Sequence, residues 1–451
     1  MDQSNQPSLS CPARGGPLPL HDGLLVQDPR HLYAALHRRY GPIASVELGP
    51  GIGAWLVMGH QDVLELVRND QAFSSDARRW KAVTGGLLAE DSPLLAVLGW
   101  RPAVNRLDDE AHRRQRHAVA EALSSIDLRR LGSVVRVQAE TLIDRWSAHS
   151  TADLLSQYGA PLVGRIFRVL IGLAPSEEGT MGALLAPLAA GTSGAARAEA
   201  ELMHMLHRLV ADKVEVPGPD LTSRLLAHSA RLTEAEVAHN VAVILLSGAQ
   251  STLSWIHATM RLLLVDARLH TAVATGRLTI ADAADRALTD GSPVPNIAGR
   301  WARNDLTFAG RRVRAGDLLI PCLTAANTEL IAHGAQELGS RAHLAWGAGS
   351  HRCPAADVAR SVAETAVTVA LRRLGALQAV DTAVRRQPSL WCAAPDELPV
   401  NFTPVPPSPG AAAALVPPPV MAVPDKRHDE PVADSGPATP RWGWWNSLGG
   451  W

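Results

Sequence analysis

His343-Leu-Ala-Trp-Gly-Ala-Gly-Ser-His-Arg-Cys-Pro-Ala-Ala-Asp-Val-Ala-Arg360 is the most informative stretch of this chain. It reads as a glycine-rich loop that presents one cysteine, Cys353, directly ahead of a helix. Gly347 and Gly349 permit backbone conformations and a close approach that side chains block. Cys353 at the mouth of that helix sits by the positive end of the helix dipole, which favours thiolate over thiol. A thiolate held there is a strong axial ligand for iron. The plainer reading of a lone cysteine in such a place is a buried structural residue beside a turn.

Outward from the loop, the helix after it is read over Ala355–Leu374. Helical periodicity also marks Asp28–Tyr40, Glu110–Leu123, Leu128–His149, Ala195–Val214 and Thr233–Val265. Ile43–Leu48 and Ala54–Met58 read as short strands around a Gly-Pro-Gly-Ile-Gly hairpin signal, and a small β-rich stretch lies near Asp305–Cys322. The pattern is mostly α with small β-sheets, and nothing alternates as a doubly wound sheet would. Residues 1–27 read as a loose, polar, Pro/Gly-rich leader and 28–403 as one large domain. Residues 404–440 read as a Pro/Ala-rich disordered linker, and 441–451 as a tip carrying Trp442, Trp444, Trp445 and Trp451.

Composition narrows the class. A formal net charge of −1 over 451 residues gives no global electrostatic reason to expect nucleic acid as a partner. No signal-peptide pattern opens the chain, and apolar runs such as Val241–Leu246 are too short to span a bilayer. The four cysteines, Cys11, Cys322, Cys353 and Cys392, are scattered, without a Cys-x-x-Cys pair. Neither a zinc site nor a disulfide framework is suggested, and a reducing cytoplasm fits best. The basic residues are almost all arginine, with lysine only at 81, 213 and 426, a usage common in high-GC bacterial genes.

Taken whole, the cysteine loop resembles the haem-ligand signature of the cytochrome P450 family, aromatic-Gly-x-Gly-x-His-x-Cys-x-x-x-x-x-Ala. Trp346, Gly347, Gly349, His351, Cys353 and Ala359 fill it. Trp346 stands where phenylalanine is usual and Pro354 where glycine is common. The resemblance implies the cytochrome P450 fold, haem b (iron protoporphyrin IX) as cofactor and Cys353 as the iron ligand. It covers roughly residues 28–403. His112-Arg-Arg-Gln-Arg116 matches the His-x-x-x-Arg whose side chains contact haem propionates. Residues i and i+4 share a helix face, so both could clamp one anionic group. Alone, this motif is more commonly a solvated basic face. Arg300, in Gly299-Arg-Trp-Ala-Arg-Asn-Asp305, matches another propionate arginine, and His351 supplies a further donor. Buried propionates call for several cationic donors.

Two departures bear on activity. Leu245-Leu-Ser-Gly-Ala-Gln-Ser-Thr-Leu253 aligns with the oxygen-activation segment, in which Gly248 leaves room over the haem for dioxygen. An acid followed by a hydroxyl residue normally relays protons there. Here Gln250 holds the acid position, followed by Ser251 and Thr252, and a hydroxyl still permits relay through water. The bland alternative is that these polar residues relieve a helix bend. The Glu-x-x-Arg pair that braces the haem loop in relatives is missing: Arg286-Ala-Leu-Thr289 occupies its place. The segment after Asn327 is shortened as well. Other packing can replace a buried ion pair without loss of fold, so rigidity of the loop is what this puts in question. Similar losses mark some actinobacterial members encoded beside small GTPase signalling operons, and the stretch 41–80 resembles that subgroup.

The resemblance implies a monooxygenase that inserts one atom of dioxygen into an apolar organic substrate with electrons from a ferredoxin and ferredoxin reductase. Trp80–Trp100 and Gly248–Trp255 would line the substrate pocket. The alternative is a P450-like accessory or regulatory protein that binds haem with little or no turnover. The tryptophan tip reads as a docking peptide for a protein or membrane surface, as a segment folded back on the domain, or as itself a substrate for cross-linking.

Overall fold

The long helix expected over Thr233–Val265 forms and is the axis of the structure. Thr233 caps it, accepting from the Glu236 N–H while the Glu236 side chain accepts from the Thr233 N–H. The helix runs as α over Glu234–Val243, widens to π over Ile244–Ala249 and resumes as α over Gln250–Val265. Its 32 residues are long and apolar enough to cross a bilayer, which the short apolar runs did not suggest; half of that apolar window is buried inside the fold. Trp255, Ile256, Met260 and Leu263 point into the largest core cluster.

The computed structural model describes residues 17–20, 29–89, 92–190, 194–332, 341–381, 386–387, 389–395, 397–407 and 418–424. Helices Asp109–Ser124, Ala160–Ile171, Ala195–Glu215, Ile280–Asp290 and Ala356–Arg373 pack on the long helix, and Leu128–Asp144 packs on the last of them. The helix read to His149 stops at Asp144, because Trp146 turns inward to meet Phe402 edge to face with centroids 5.5 Å apart. The chain thereby reaches strand Thr151–Asp153, which pairs with Pro399–Thr403.

The main sheet runs in the order Leu18–Pro19, Ile43–Gly49, Ile52–Val57, Leu318–Pro321, Arg300–Ala302, Phe73–Ser74. Gly51, at φ +74°, makes the turn of the expected first hairpin. A second hairpin, Leu306–Phe308 with Arg311–Val313, turns on Ala309 and Gly310, both at positive φ, as a primed turn requires. The sheet carries Arg300 on an inner strand, where it is buried.

Two expectations about the ends need correction. The leader is not loose throughout: Leu18–Pro19 pairs in parallel with Val46–Glu47, and Leu18 and Leu20 are buried. Within the Pro/Ala-rich linker, Val420 and Met421 are buried, and the Val420 carbonyl accepts from the Asp127 N–H at 2.9 Å. Two apolar side chains seated in the domain suffice to hold such a segment in place. The tryptophan tip, most of the leader and linker, and 333–340 of the shortened segment lie outside the described residues.

Candidate active site

The cysteine loop is closed by its own backbone. The Gly347 N–H donates to the Leu344 carbonyl at 2.8 Å and the Cys353 N–H to the Trp346 carbonyl at 2.8 Å. Gly347 and Gly349 both have positive φ, +66° and +72°. At Gly349 space is the stricter demand, since a Cβ there would lie 2.3 Å from the Val67 carbonyl oxygen. The loop is thus seated on the end of helix His60–Arg68. Trp346 meets Trp255 of the long helix edge-on, with ring centroids 5.3 Å apart.

Cys353 stands just ahead of Ala356–Arg373, as expected, but burial raises its thiol pKa. The Ala355 N–H, Arg116 and Arg352 oppose that rise without reversing it. The helix mouth alone does not hold a thiolate; a cation on the sulfur is needed as well, and a coordinating thiol is deprotonated outright.

His112 and Arg116 share the inner face of Asp109–Ser124. His112 lies against His351, ring centroids 3.9 Å apart and tilted by 30°. His351 Nε2 is 3.1 Å from Ser75 Oγ. Burial first, then nearby arginines, lowers the pKa of both histidines, so they are neutral N–H donors and not the cations expected from the sequence. Arg300 is pushed down to about 10 by burial, and it donates to the Gly299 carbonyl at 3.0 Å. Arg116 makes no ion pair or hydrogen bond among the described residues.

Sequence reading missed Arg106. It is buried, donates to the carbonyls of Ala298 and Val97, and lies 5.9 Å over the Trp301 ring. Burial, then Arg101 and Arg300, pushes it down to about 9. Arg106 Nε and His112 Nε2 are buried without a partner. Three arginines with unpaired donors around two neutral histidines form a site for a buried, doubly anionic group, which fits two propionates.

Arg106, Arg116, Arg300, His351 and Cys353 line one cavity of about 2580 Å³, with His112 behind His351; this is well above the roughly 300–1,000 Å³ of a small-ligand pocket, so it has room for a haem-sized group and a substrate together. Of the expected stretch Trp80–Trp100, Ser92–Val97 and Trp100 line it, but Trp80–Ala89, Leu98 and Gly99 do not. Trp80 is fully buried beside Trp301 in the second core cluster, centroids 6.3 Å apart.

Of the segment expected to serve oxygen activation, Leu245–Ala249 falls on the π turn and Gln250–Leu253 on the α-helix after it. A Cβ on Gly248 would approach the Phe167 ring to 2.7 Å, so the missing side chain makes room for Phe167, itself a cavity-lining residue. Ser251 Oγ donates to the Ser247 carbonyl at 2.6 Å, which commits its proton within the helix. The Gln250 side chain hydrogen-bonds Cys392, whose thiol burial pushes up to about 11. Thr252 Oγ1 is buried with no partner and lines the cavity.

Comparison with known proteins agrees with this geometry. No family model matches the chain. It is 27% identical over 348 residues to cytochrome P450-SU2 of Streptomyces griseolus, covering 74% of this chain and 84% of that one. It is 26% identical to cytochrome P450 107B1 of Saccharopolyspora erythraea, covering 78% and 89%. The solved structure of CYP154A1 from Streptomyces coelicolor A3(2) superposes with a TM-score of 0.76 at 26% identity, covering 86% of this chain and all of that one. CYP154C4 from Streptomyces sp. W2061 superposes at 0.78 with 23% identity, covering 86% and 98%.

Proposed function

We propose that this chain, a bacterial cytochrome P450 monooxygenase with haem b as its cofactor, would hold the haem iron through the thiolate of Cys353 and would draw its electrons from a ferredoxin and its reductase. When bound, the haem supplies the oxidising chemistry of the family. The residues here hold it, shape the space above it and manage protons. Arg106, Arg116 and Arg300 would hold the propionates as cations, with the His112 and His351 rings as further donors. Arg106 also ties Val97, beside the substrate space, to Ala298 next to Arg300. Val97, Leu94, Phe167 and Leu245 give the cavity an apolar lining suited to an apolar organic substrate. The cytoplasm is the compartment proposed.

For proton handling we assign Thr252. Thr252 lines the cavity and its buried hydroxyl has no hydrogen-bond partner, while Ser251 is committed to Ser247 and Gln250 to Cys392. Those two commitments favour the second reading, a haem-binding accessory protein with little turnover, because no titratable acid stands on that turn.

The observation that supports the proposal is the closed loop whose Cys353 lines the same cavity as Arg106, Arg116, Arg300 and His351. The ferrous carbon monoxide spectrum of the haem-loaded chain tests it. A thiolate-type Soret band that disappears in Cys353→Ala is expected, and a wild type without that band overturns the assignment. Ferredoxin-driven turnover, scored as product against peroxide, separates the enzyme from the accessory protein.

A further inference from the structure

The missing Glu-x-x-Arg leaves open what holds the cysteine loop in shape. Helix Ile280–Asp290 turns Arg286 outward, where it pairs with Asp290 of its own helix at 2.8 Å. The residue before it, Asp285, points inward, and its side chain is 1% exposed. Asp285 Oδ1 accepts from Arg360 at 2.6 Å and Oδ2 from Arg341 Nε at 3.0 Å. His343 Nε2, also buried, lies 3.9 Å from Oδ1. Arg341 and His343 are in the chain entering the cysteine loop, and Arg360 is on the helix leaving it.

From these contacts we propose that Asp285 is the positioning residue of the cysteine loop, one buried carboxylate that clasps the two ends of the loop together through Arg341 and Arg360. The proposal rests on Cys353 being the axial ligand. A second route leads from the same helix to the same loop. Trp255 donates its indole N–H to the Ala284 carbonyl at 2.8 Å and meets Trp346 edge-on. Arg360 stacks over the Trp255 ring at 5.5 Å and also donates to Glu364 at 3.0 Å. Two carboxylates, Asp285 and Glu364, face two guanidinium groups, Arg341 and Arg360. Groups that orient a ligand without touching the metal set both its affinity and its geometry. An ion pair serving only stability would have no reason to bridge the two sides of one loop.

The test uses the haem-loaded full chain and the variants Asp285→Asn, Asp285→Glu, Arg341→Gln and, as a control, Arg286→Gln. Haem dissociation rate and the thiolate-type fraction of the ferrous carbon monoxide complex are read beside thermal unfolding of each apoprotein. Loss of such an orienting partner is expected to speed haem loss about 10–100-fold in Asp285→Asn and to shift most of the complex to the thiol-type band. Asp285→Glu recovers part of the thiolate band, Arg341→Gln gives an intermediate loss, and Arg286→Gln behaves as wild type. An Asp285→Asn protein with wild-type haem loss and wild-type spectrum, whatever its unfolding temperature, overturns the proposal. Should Asp285→Asn fail to fold, Arg341→Gln decides alone, because that side chain is two-thirds exposed. If the wild type shows no thiolate-type band, the functional reading fails, and amide hydrogen exchange over 341–353 in the apoprotein still tests the clasp. Faster exchange in Arg341→Gln supports it, and unchanged exchange refutes it.

Discussion

Gly347 and Gly349 occupy equivalent places in the loop motif, yet alanine at the two should have unequal effects. Both have positive φ, where a side chain costs about 1–2 kcal/mol. At Gly347 that is the whole cost, because an added Cβ would meet nothing nearer than Ile297 Cδ1 at 3.9 Å. At Gly349 the Cβ would sit 2.3 Å from the Val67 carbonyl oxygen and 3.0 Å from Arg68 Cα. These are backbone atoms of a helix end and cannot rotate away. Forcing a methyl into such a contact adds about 1–3 kcal/mol. Gly349→Ala should therefore be destabilised by roughly 2–5 kcal/mol against about 1–2 for Gly347→Ala. Urea unfolding of the two apoproteins, followed by tryptophan fluorescence, measures the difference. The Gly349 variant should also lose more of its thiolate-type carbon monoxide band, since the clash pushes the loop off helix His60–Arg68. Equal midpoints, or a larger loss at Gly347, refute the reasoning.

Other outcomes follow from single contacts. Burial raises the Asp285 pKa, but His343, Arg360 and Arg341 more than offset this and hold it at about 2. The stability it contributes, of order 2–3 kcal/mol, is present above about pH 4 and lost as pH falls toward 2. Acid titration of Asp285→Asn should show a flatter stability profile in that window. Arg106→Met should cost about 1–3 kcal/mol of stability, through the carbonyls left without donors, and weaken haem binding, both measurable by thermal unfolding with and without haem. Thr252→Val should leave stability unchanged while diverting turnover from product to peroxide, and Ser251→Ala should alter that ratio less. A chain ending at Pro424 should unfold like the full chain. One ending at Pro417 exposes the surfaces that Val420 and Met421 cover, and it should lose about 3 kcal/mol in the same assay.

The cysteine loop and the order of the motifs were legible because local chemistry writes them. A tight turn needs Gly349, and His112 and Arg116 must share a face four residues apart. The mostly helical class followed from periodicity. Arg106 was not legible, because an arginine in a loop has no period and only the fold discloses which carbonyls it meets. Asp285 escaped for a related reason: its partners lie 56 and 75 residues away, and the motif search looked one position later, at Arg286. Trp80 was misassigned to the pocket because an aromatic residue in a loop can equally well face a core, and here Trp301 claims it. Ser251 looked like the relay hydroxyl by alignment, but its proton goes to a backbone carbonyl of its own helix.

The widened turn at Ile244–Ala249 has a consequence for how this helix tolerates change. Such a turn accommodates one residue more than a regular helix would over the same rise. The extra residue is absorbed within the turn, so the two halves of the rod, one bearing Asn240 and the other Thr252 and Trp255, keep the phase of a regular helix one residue shorter. Removing one residue between 244 and 249 would let the rod become regular with that phase kept, whereas removing two would swing everything downstream by about 100°. Thr252 would leave the cavity and Trp255 would part from Ala284 and Trp346, with every side chain chemically intact. Here the length of a segment, and not only its spelling, determines which hydroxyl is offered to the reaction.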